Sequence, residues 1–273
     1  MRSDLAGRRR LRSLEALDEA VGAMKSLSAH HLREARRSVE QARVYRSGVE
    51  RMLQEAGEVF AQGVEGAGVL VIGAELGLCG SYNSQVVAEG AARRAELGGG
   101  PTFCVGHRAA SLLRRRGVAV LREHAMPTSV AGISSLLLQL AEEVLGRYAE
   151  DRLLSFDIVS SRFAGVGRVS PVSVRLLPLE VANAEARPRT RHVRSEAFAA
   201  ATMREFLYIT LYDLLLDAMA SEHGARLIAT QAAEKWLEAR ARGLRQQLAA
   251  ARREASTQEV IEVAVGVRAR HDT

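Results

Sequence analysis

Two proline-free stretches, one towards each end of the chain, constrain the fold more than any other sequence feature. Residues 4–60 contain no proline and four glycines, and residues 195–268 contain no proline and three glycines. Because proline breaks a helix interior, both stretches are predicted to be helical throughout. At the rise of an α-helix they would be about 85 Å and about 110 Å long. Helices of this length far exceed the average of about 12 residues, so they must pair with each other or with a partner.

The first stretch carries small and apolar residues at mostly alternating spacings of three and four. These residues are Leu14, Leu17, Val21, Met24, Ala35, Val39, Ala42, Val49, Met52 and Ala56. Such spacing is typical of the contact seam of a coiled coil. The pattern slips between Ser28 and Leu32, which predicts a local change in the supercoil.

Both predicted helices must leave the same central domain, one ending near residue 60 and the other beginning near residue 197. This connectivity predicts that they pair antiparallel as a coiled coil. With equal rise per residue, positions at the same height have numbers that sum to about 257. Met24 is therefore expected beside residues 233–237, and Leu14 is expected beside Gly243.

The segment between the two helices alternates short apolar runs with helical stretches. Strands are predicted at 68–73, 102–106, 118–121, 156–162 and 169–177, and helices at 84–97, 108–116 and 132–149. This alternation predicts an α/β domain whose sheet is mostly parallel in its first part. The chain is thus predicted to have an N-terminal coiled-coil helix (1–62), an inserted α/β domain (63–194) and a C-terminal coiled-coil helix with a protruding tip (195–273).

Composition and charge exclude several classes of protein. Hydrophobic residues make up 47% and charged residues 26% of the chain, as in globular proteins. The formal charge is +6, but acidic residues are interleaved with the basic ones, so a nucleic-acid partner is not indicated. No apolar run approaches the roughly 20 residues that span a bilayer, and the N-terminus lacks a signal core. Direct membrane insertion is therefore not expected.

The segment GLCGSYN (77–83) is the strongest candidate for chemistry, because it follows a predicted strand and precedes a predicted helix. It could be a phosphate-binding turn, although the GK[ST] ending of a phosphate loop is missing. It could equally be a tight connection in which Gly77 and Gly80 supply unusual backbone angles. Cys79 could also act as a nucleophile if His107, in the next strand-to-helix turn, lies near it.

No catalytic, cofactor-binding or metal-binding residue is assigned from the sequence. Cys79 and Cys104 show no metal or CxxC spacing and favour a reducing compartment. His30, His31 and His223 are expected to be solvated or to cap helices. Three classes stay open: a structural coupling protein, an α/β enzyme that binds a nucleotide or uses a Cys–His pair, and a free coiled-coil scaffold.

Four segments resemble the gamma subunit of F-type ATP synthases, and together they span nearly the whole chain. They are Ala23-Met24 with the HLREA segment (31–35), GLCGSYN (77–83), FLYITLYDLLLDAMASEHGARLIAT (206–230), and RREASTQEVIEVAVG (252–266) with Thr257, Gln258 and Glu259 in register. The family departs from this chain at 18–22, 74–76 and 231–236. These departures suggest a divergent paralogue, such as the alternative N-type branch.

The resemblance implies a rotor shaft that couples ion translocation through a membrane ring to ATP synthesis or hydrolysis in a catalytic head. The implied partners are the alpha and beta subunits of the head, the epsilon subunit and the c-ring, in a hetero-oligomer. It further implies a non-catalytic subunit without a cofactor, held peripherally at the cytoplasmic face of a bacterial inner membrane.

Contacts with these partners are expected along both terminal helices. The expected residues are Met24, Arg240, Arg242, Arg245, Thr257, Gln258, Glu259, Ile261 and Val265. The arginines could form a basic collar that faces an acidic partner or simply a solvated face, and the sequence leaves both possibilities open. The last 20 or so residues carry an apolar arc of roughly 200°, too wide for a solvated single helix. They are expected to lie inside an apolar sleeve of the head.

Overall fold

The computed structural model describes residues 2–56, 66–151, 153–178 and 195–271, with side chains of 5–53, 198 and 201–262 in the two terminal helices. The elements in chain order are α1 (Arg2–Ala56), β1 (Ala67–Ile72), α2 (Tyr82–Glu96), β2 (Thr102–Val105), α3 (His107–Arg115), β3 (Arg122–His124), α4 (Val130–Glu150), β4 (Ser155–Phe163), β5 (Val169–Leu177) and α5 (Ser195–His271). The protein is therefore largely helical with a central mixed sheet.

The chain forms two compact units. One contains residues 1–26 and 230–273, and the other contains residues 27–229, so both α1 and α5 contribute to each unit. The predicted domain limits near 62 and 194 lie outside the described residues and stay predictions. Within the described residues, no helix combines the length and the apolar character that crossing a bilayer requires.

The inward-facing positions of α1 recur at strictly alternating intervals of four and three residues. They are Gly7, Leu11, Leu14, Asp18, Val21, Lys25, Ser28, Leu32, Ala35, Val39, Ala42, Arg46, Val49 and Leu53. The predicted slip between Ser28 and Leu32 is wrong, since both residues are buried and keep the spacing. Ser28 is polar, so the apolar sequence pattern is interrupted at this position. The residue nevertheless faces inward.

Two of the predicted seam residues face solvent instead. Leu17 and Met52 are exposed, whereas their neighbours Asp18 and Leu53 turn inward. At the first pair the apolar pattern favours Leu17 over the inward-facing Asp18, and at the second pair both residues are apolar, so the pattern alone cannot choose between them. The stems of polar side chains can also cover a neighbouring helix while their charged ends reach water.

Side chains of α1 and α5 meet in antiparallel order in each unit. In the first unit, Lys25 Nζ lies 2.6 Å from Glu234 Oε2. There, Arg245 Nη2 also lies 2.7 Å from Glu15 Oε1. In the second, Arg43 Nη2 lies 2.6 Å from Asp217 Oδ2. Residue numbers fall on α5 as they rise on α1, and each pair lies within a helical turn of the predicted sum.

The five strands lie in the order β3-β2-β1-β4-β5. The strands β3, β2, β1 and β4 are parallel to one another, and β5 pairs antiparallel with β4. One face of the sheet packs with α1, α4 and α5, and the other face packs with α2 and α3. Because both faces are covered, β1 is buried at every position, which explains its continuous apolar run.

The third strand begins after the position predicted for it. The apolar run 118–121 was predicted as the strand, but β3 comprises the charged residues Arg122–His124. β3 is the edge strand next to β2, and charged side chains are common on such edges. Val118 packs instead in the cluster beneath α3, where its N–H donates to Leu113 O at 3.1 Å. The other predicted strands and helices of the α/β domain agree with the observed ones within two residues.

The inward orientation of Leu32 on α1 can be tested by comparing it with Leu27, which lies on the same helix and in the same unit. Leu32 is 6% exposed and Leu27 is 59% exposed. Leu32→Ala should cost about 2–5 kcal/mol of unfolding free energy, because it leaves a cavity, and Leu27→Ala should cost less than about 0.5 kcal/mol. Urea unfolding of both variants measures the difference, and equal costs would contradict this packing.

Candidate functional site

The GLCGSYN segment forms a turn between β1 and α2 in which Cys79, Tyr82 and Asn83 are buried while Leu78, Gly80 and Ser81 are exposed. The side-chain oxygen of Asn83 accepts the N–H of Ala74 at 2.9 Å, and its amide nitrogen lies 3.4 Å from Cys79 Sγ. The N–H of Tyr82 donates to Cys79 O at 3.1 Å. Leu78 has a φ of 55°, a left-handed conformation that is uncommon for leucine. The turn is thus closed by its own polar groups.

Arg226 of α5 connects this turn to the long helix. Its Nε donates to Gly77 O at 3.2 Å and its Nη2 donates to Leu76 O at 3.4 Å. Nη2 also forms a very short ion pair with Glu222, one helical turn earlier on α5. Arg226 is buried, and a buried guanidinium is stable only when its donors have partners. The two carbonyls immediately precede Leu78, so this contact holds the backbone that carries the strained residue.

Burial controls the protonation of the neighbouring groups. Burial raises the pKa of Glu222, and the Arg226 charge opposes that shift. Burial lowers the pKa of His223 to about 3, and Arg226 and His31 lower it further, so the imidazole is neutral near pH 7. Its Nδ1 lies 3.3 Å from Arg226 Nη1 and can accept that proton. The expectation that His223 is solvated or caps a helix is therefore wrong.

Cys79 and His107 contact different partners. Cys79 Sγ lies 3.8 Å from Leu76 O and close to the Asn83 amide, while His107 Nδ1 lies 2.7 Å from Glu123 Oε1. Burial raises the pKa of the Cys79 thiol, which keeps it protonated and makes it a poor nucleophile. These contacts do not favour a Cys–His pair.

Buried carboxylates of α5 form a second set of connections in the same unit. Asp213 Oδ2 lies 2.6 Å from Arg46 Nη1, and Asp217 Oδ2 lies 2.6 Å from Arg43 Nη2. Asp217 Oδ1 also accepts the N–H of Phe163 at 3.4 Å. Burial raises the pKa of Asp217, and the Arg43 charge opposes that shift. The two ion pairs, Arg43–Asp217 and Arg46–Asp213, therefore connect α1 to α5.

The residues predicted to contact partners are spread along the two terminal helices. Met24 is half-buried, and the other described side chains of the set are exposed: Arg240, Arg242, Arg245, Thr257, Gln258, Glu259 and Ile261. The side chain of Val265 lies outside the described residues. Arg242 and Arg245 share a shallow cleft with Leu14 and Asp18. Every side chain from 251 to 262 is exposed, including Val260 at 66% and Ile261 at 51%.

Sequence reasoning missed the charged residues that connect α5 to its neighbours. Asp213 and Asp217 lie four residues apart inside an apolar run. Glu222 and Arg226, further along the same helix, have the same spacing. Charged residues at this spacing share one helix face, here the buried one. A pair of acidic residues inside an otherwise apolar stretch could therefore have indicated buried ion pairs with another helix.

The contact of Arg226 with the turn predicts a large and asymmetric effect of mutation. Arg226→Gln should cost about 3–5 kcal/mol of unfolding free energy, because it leaves the Glu222 charge buried without its partner. The double variant Glu222→Gln/Arg226→Gln should cost less, because no buried charge remains. Urea unfolding of the single and double variants measures both values. A double variant that is less stable than Arg226→Gln would contradict the pairing.

Comparison with known proteins gives matches over nearly the entire chain. The family model described as ATP synthase matches residues 6–269. The ATP synthase gamma chain of Desulforamulus reducens is 26% identical over 275 residues, covering 96% of this chain and 97% of the relative. The gamma chain of Moorella thermoacetica is 29% identical over 282 residues, covering 95% and 96% respectively.

Solved structures share the fold. A chain of the mitochondrial ATP synthase of Euglena gracilis, from a cryo-EM structure of its OSCP, F1 and c-ring, superposes with a TM-score of 0.68 at 15% identity, covering 98% of this chain and 95% of that chain. A chain of the central stalk and c-ring of Tetrahymena thermophila mitochondrial ATP synthase gives a TM-score of 0.61 at 18% identity, covering 78% and 99% respectively. The chain therefore belongs to the ATP synthase family, among the gamma chains.

Proposed function

We propose that this chain is the rotor shaft of an F-type ATP synthase, which couples ion translocation through the membrane ring to ATP synthesis or hydrolysis in the catalytic head. Its partners are the alpha and beta subunits of the head, the epsilon subunit and the c-ring. The observation that carries the proposal is the set of hydrogen bonds and ion pairs that hold α5 to the sheet and to α1 within residues 27–229. A subunit that transmits torque needs such contacts, because they resist rotation of one element against another.

Hydrogen bonds from successive turns of α5 run to the α/β elements. The Tyr82 hydroxyl donates to Ala218 O at 3.3 Å, and the Ser160 hydroxyl donates to Leu214 O at 3.3 Å. The Ser221 hydroxyl donates to Ser161 O at 3.2 Å. Hydrogen bonds depend on angle, whereas apolar contacts are non-directional. Rotation of α5 about its own axis would break these bonds, so the sheet and the helix turn together.

The proposal includes an antiparallel coiled coil formed by α1 and α5. The alternating intervals of the inward positions on α1 support it, because this spacing is that of coiled-coil seams. The antiparallel ion pairs in each unit support it as well. The coiled-coil helices extend over 1–62 and 195–273, and the α/β domain between them is an insertion in that pairing.

The C-terminal end of α5 is proposed to lie inside the catalytic head. Side chains 251–262 are exposed on all sides of the helix, and this segment includes Val260 and Ile261. Exposed apolar residues on a single helix favour burial against a partner. A sleeve that lets the shaft turn is best made of apolar contacts, because strong ion pairs would hold it at particular angles. Ile261 and Val265 are assigned to this contact, with Thr257, Gln258 and Glu259 beside them.

The remaining proposed partner contacts lie further from the end of α5. Arg240, Arg242 and Arg245 are exposed within two turns of the helix and form a basic collar that suits an acidic partner surface. Met24 is half-buried on α1 and is assigned to the same region of contact with the head. The assembled complex is placed peripherally at the cytoplasmic face of a bacterial inner membrane.

The subunit is further proposed to be non-catalytic and to work without a cofactor. Its effect on ATP chemistry arises from differential contacts with the catalytic subunits, which shift their conformational populations. The closed GLCGSYN turn supports this proposal, because Ala74, Tyr82 and Arg226 already use its polar groups in internal contacts.

Apolar burial of the C-terminal segment can be tested through assembly of the complex. Ile261→Asp and Val265→Asp should lower the yield of intact complex with the alpha and beta subunits, because each places a charge in an apolar sleeve. Arg268→Ala and the conservative Ile261→Leu should leave the yield close to that of the wild type. Size-exclusion chromatography of reconstituted complexes measures the yield. Normal assembly of both Asp variants would show that this segment is not buried.

The absence of intrinsic catalysis can be tested with the purified chain. It should hydrolyse no ATP above the buffer rate, whereas the reconstituted complex should hydrolyse it. A phosphate-release assay with Mg²⁺ measures both rates. Hydrolysis by the isolated chain that disappears in Cys79→Ser or His107→Ala would overturn the non-catalytic role and favour the enzyme hypothesis.

A further inference from the structure

His30, His31 and Glu34 lie on one side of α1 within the second unit. One potential metal-ligand atom from each residue lies within 4.8 Å of the other two. Residues three and four positions apart share a helix face, so Glu34 is a neighbour of both histidines. Glu34 is half-buried and His30 is exposed, so two of the three side chains reach solvent.

The contact between His31 and Glu34 has the spacing of two metal ligands. His31 Nδ1 lies 3.5 Å from Glu34 Oε2. At zinc–nitrogen and zinc–oxygen distances of about 2.0–2.1 Å, a tetrahedral angle separates two donor atoms by about 3.3 Å. His31 Nδ1 is buried from solvent and has no hydrogen-bond partner. A buried nitrogen without a hydrogen bond is costly, and a metal ion held between it and Glu34 would satisfy it.

Neighbouring rings orient the histidines. The ring of His31 lies against that of His223 on α5, with 5.1 Å between centroids and an interplanar angle of 36°. His223 is itself fixed by Arg226. The ring of His30 meets the edge of His31 at 5.3 Å. Groups behind the ligands that restrict their rotation raise metal affinity, because less freedom is lost on binding.

We propose that His30, His31 and Glu34 form a binding site for a borderline divalent transition-metal ion, such as Zn²⁺. Two imidazoles and one carboxylate are a ligand set that zinc accepts, with water in the remaining position. Mg²⁺ prefers oxygen ligands and does not suit this set. The site is separate from the shaft role proposed above, since it involves neither the apolar end of α5 nor the GLCGSYN turn.

Metal titration of the purified full chain tests the site. After treatment with a chelator, Zn²⁺ should bind by isothermal titration calorimetry with one ion per chain, and Co²⁺ should bind with visible absorption bands. His30→Ala and Glu34→Gln should each weaken zinc binding at least about tenfold. Mg²⁺ should give no binding signal. Both variants change solvent-accessible side chains, so the fold should be retained.

His107→Ala is the matched control, because His107 is also an exposed histidine beside a glutamate, Glu123. It should bind zinc as the wild type does. The proposal is overturned if the wild type binds no zinc, if His30→Ala and Glu34→Gln bind it unchanged, or if His107→Ala weakens binding equally. None of these results would bear on the rotor function, which is tested by assembly.

Discussion

The pairing of buried carboxylates on α5 with arginines of α1 is the constraint on which the larger unit depends. Asp213 and Asp217 lie in the middle of an apolar helix, and their carboxylates are nearly inaccessible to solvent. A buried carboxylate without a counter-charge is costly, so α1 must present Arg43 and Arg46 at one particular height. Apolar seams alone tolerate a shift by one heptad, but these ion pairs do not. The register of the two helices follows from them.

The contact of Arg226 extends the same principle to the sheet. One guanidinium joins a carboxylate on its own helix to two backbone carbonyls of the turn after β1. The turn in its strained conformation and the helix therefore depend on each other. GLCGSYN and SEHGAR, two of the four segments that resemble gamma chains, are far apart in sequence but in contact through Arg226. They form one structural unit.

The two ends of α5 illustrate opposite uses of apolar residues. Between Leu207 and Arg226 the helix is buried on almost every side by the sheet and by α1. From 251 to 262 the helix is exposed on every side and carries five charged residues, with Val260 and Ile261 as its large apolar side chains. Burial of Val260 and Ile261 against a partner would remove their exposed apolar surface from water.

The sequence by itself determined the long helices, the alternation of strands and helices, and the family resemblance, because proline-free stretches, apolar periodicity and motifs are local properties. It did not determine which residues of α1 face inward, since Asp18 and Ser28 carry no apolar signal. It also misplaced β3, whose charged residues make an edge strand. The tertiary structure alone decided the roles of Asp213, Asp217, His223 and Arg226. The physical reason is that the burial and pairing of a charge depend on residues more than a hundred positions away.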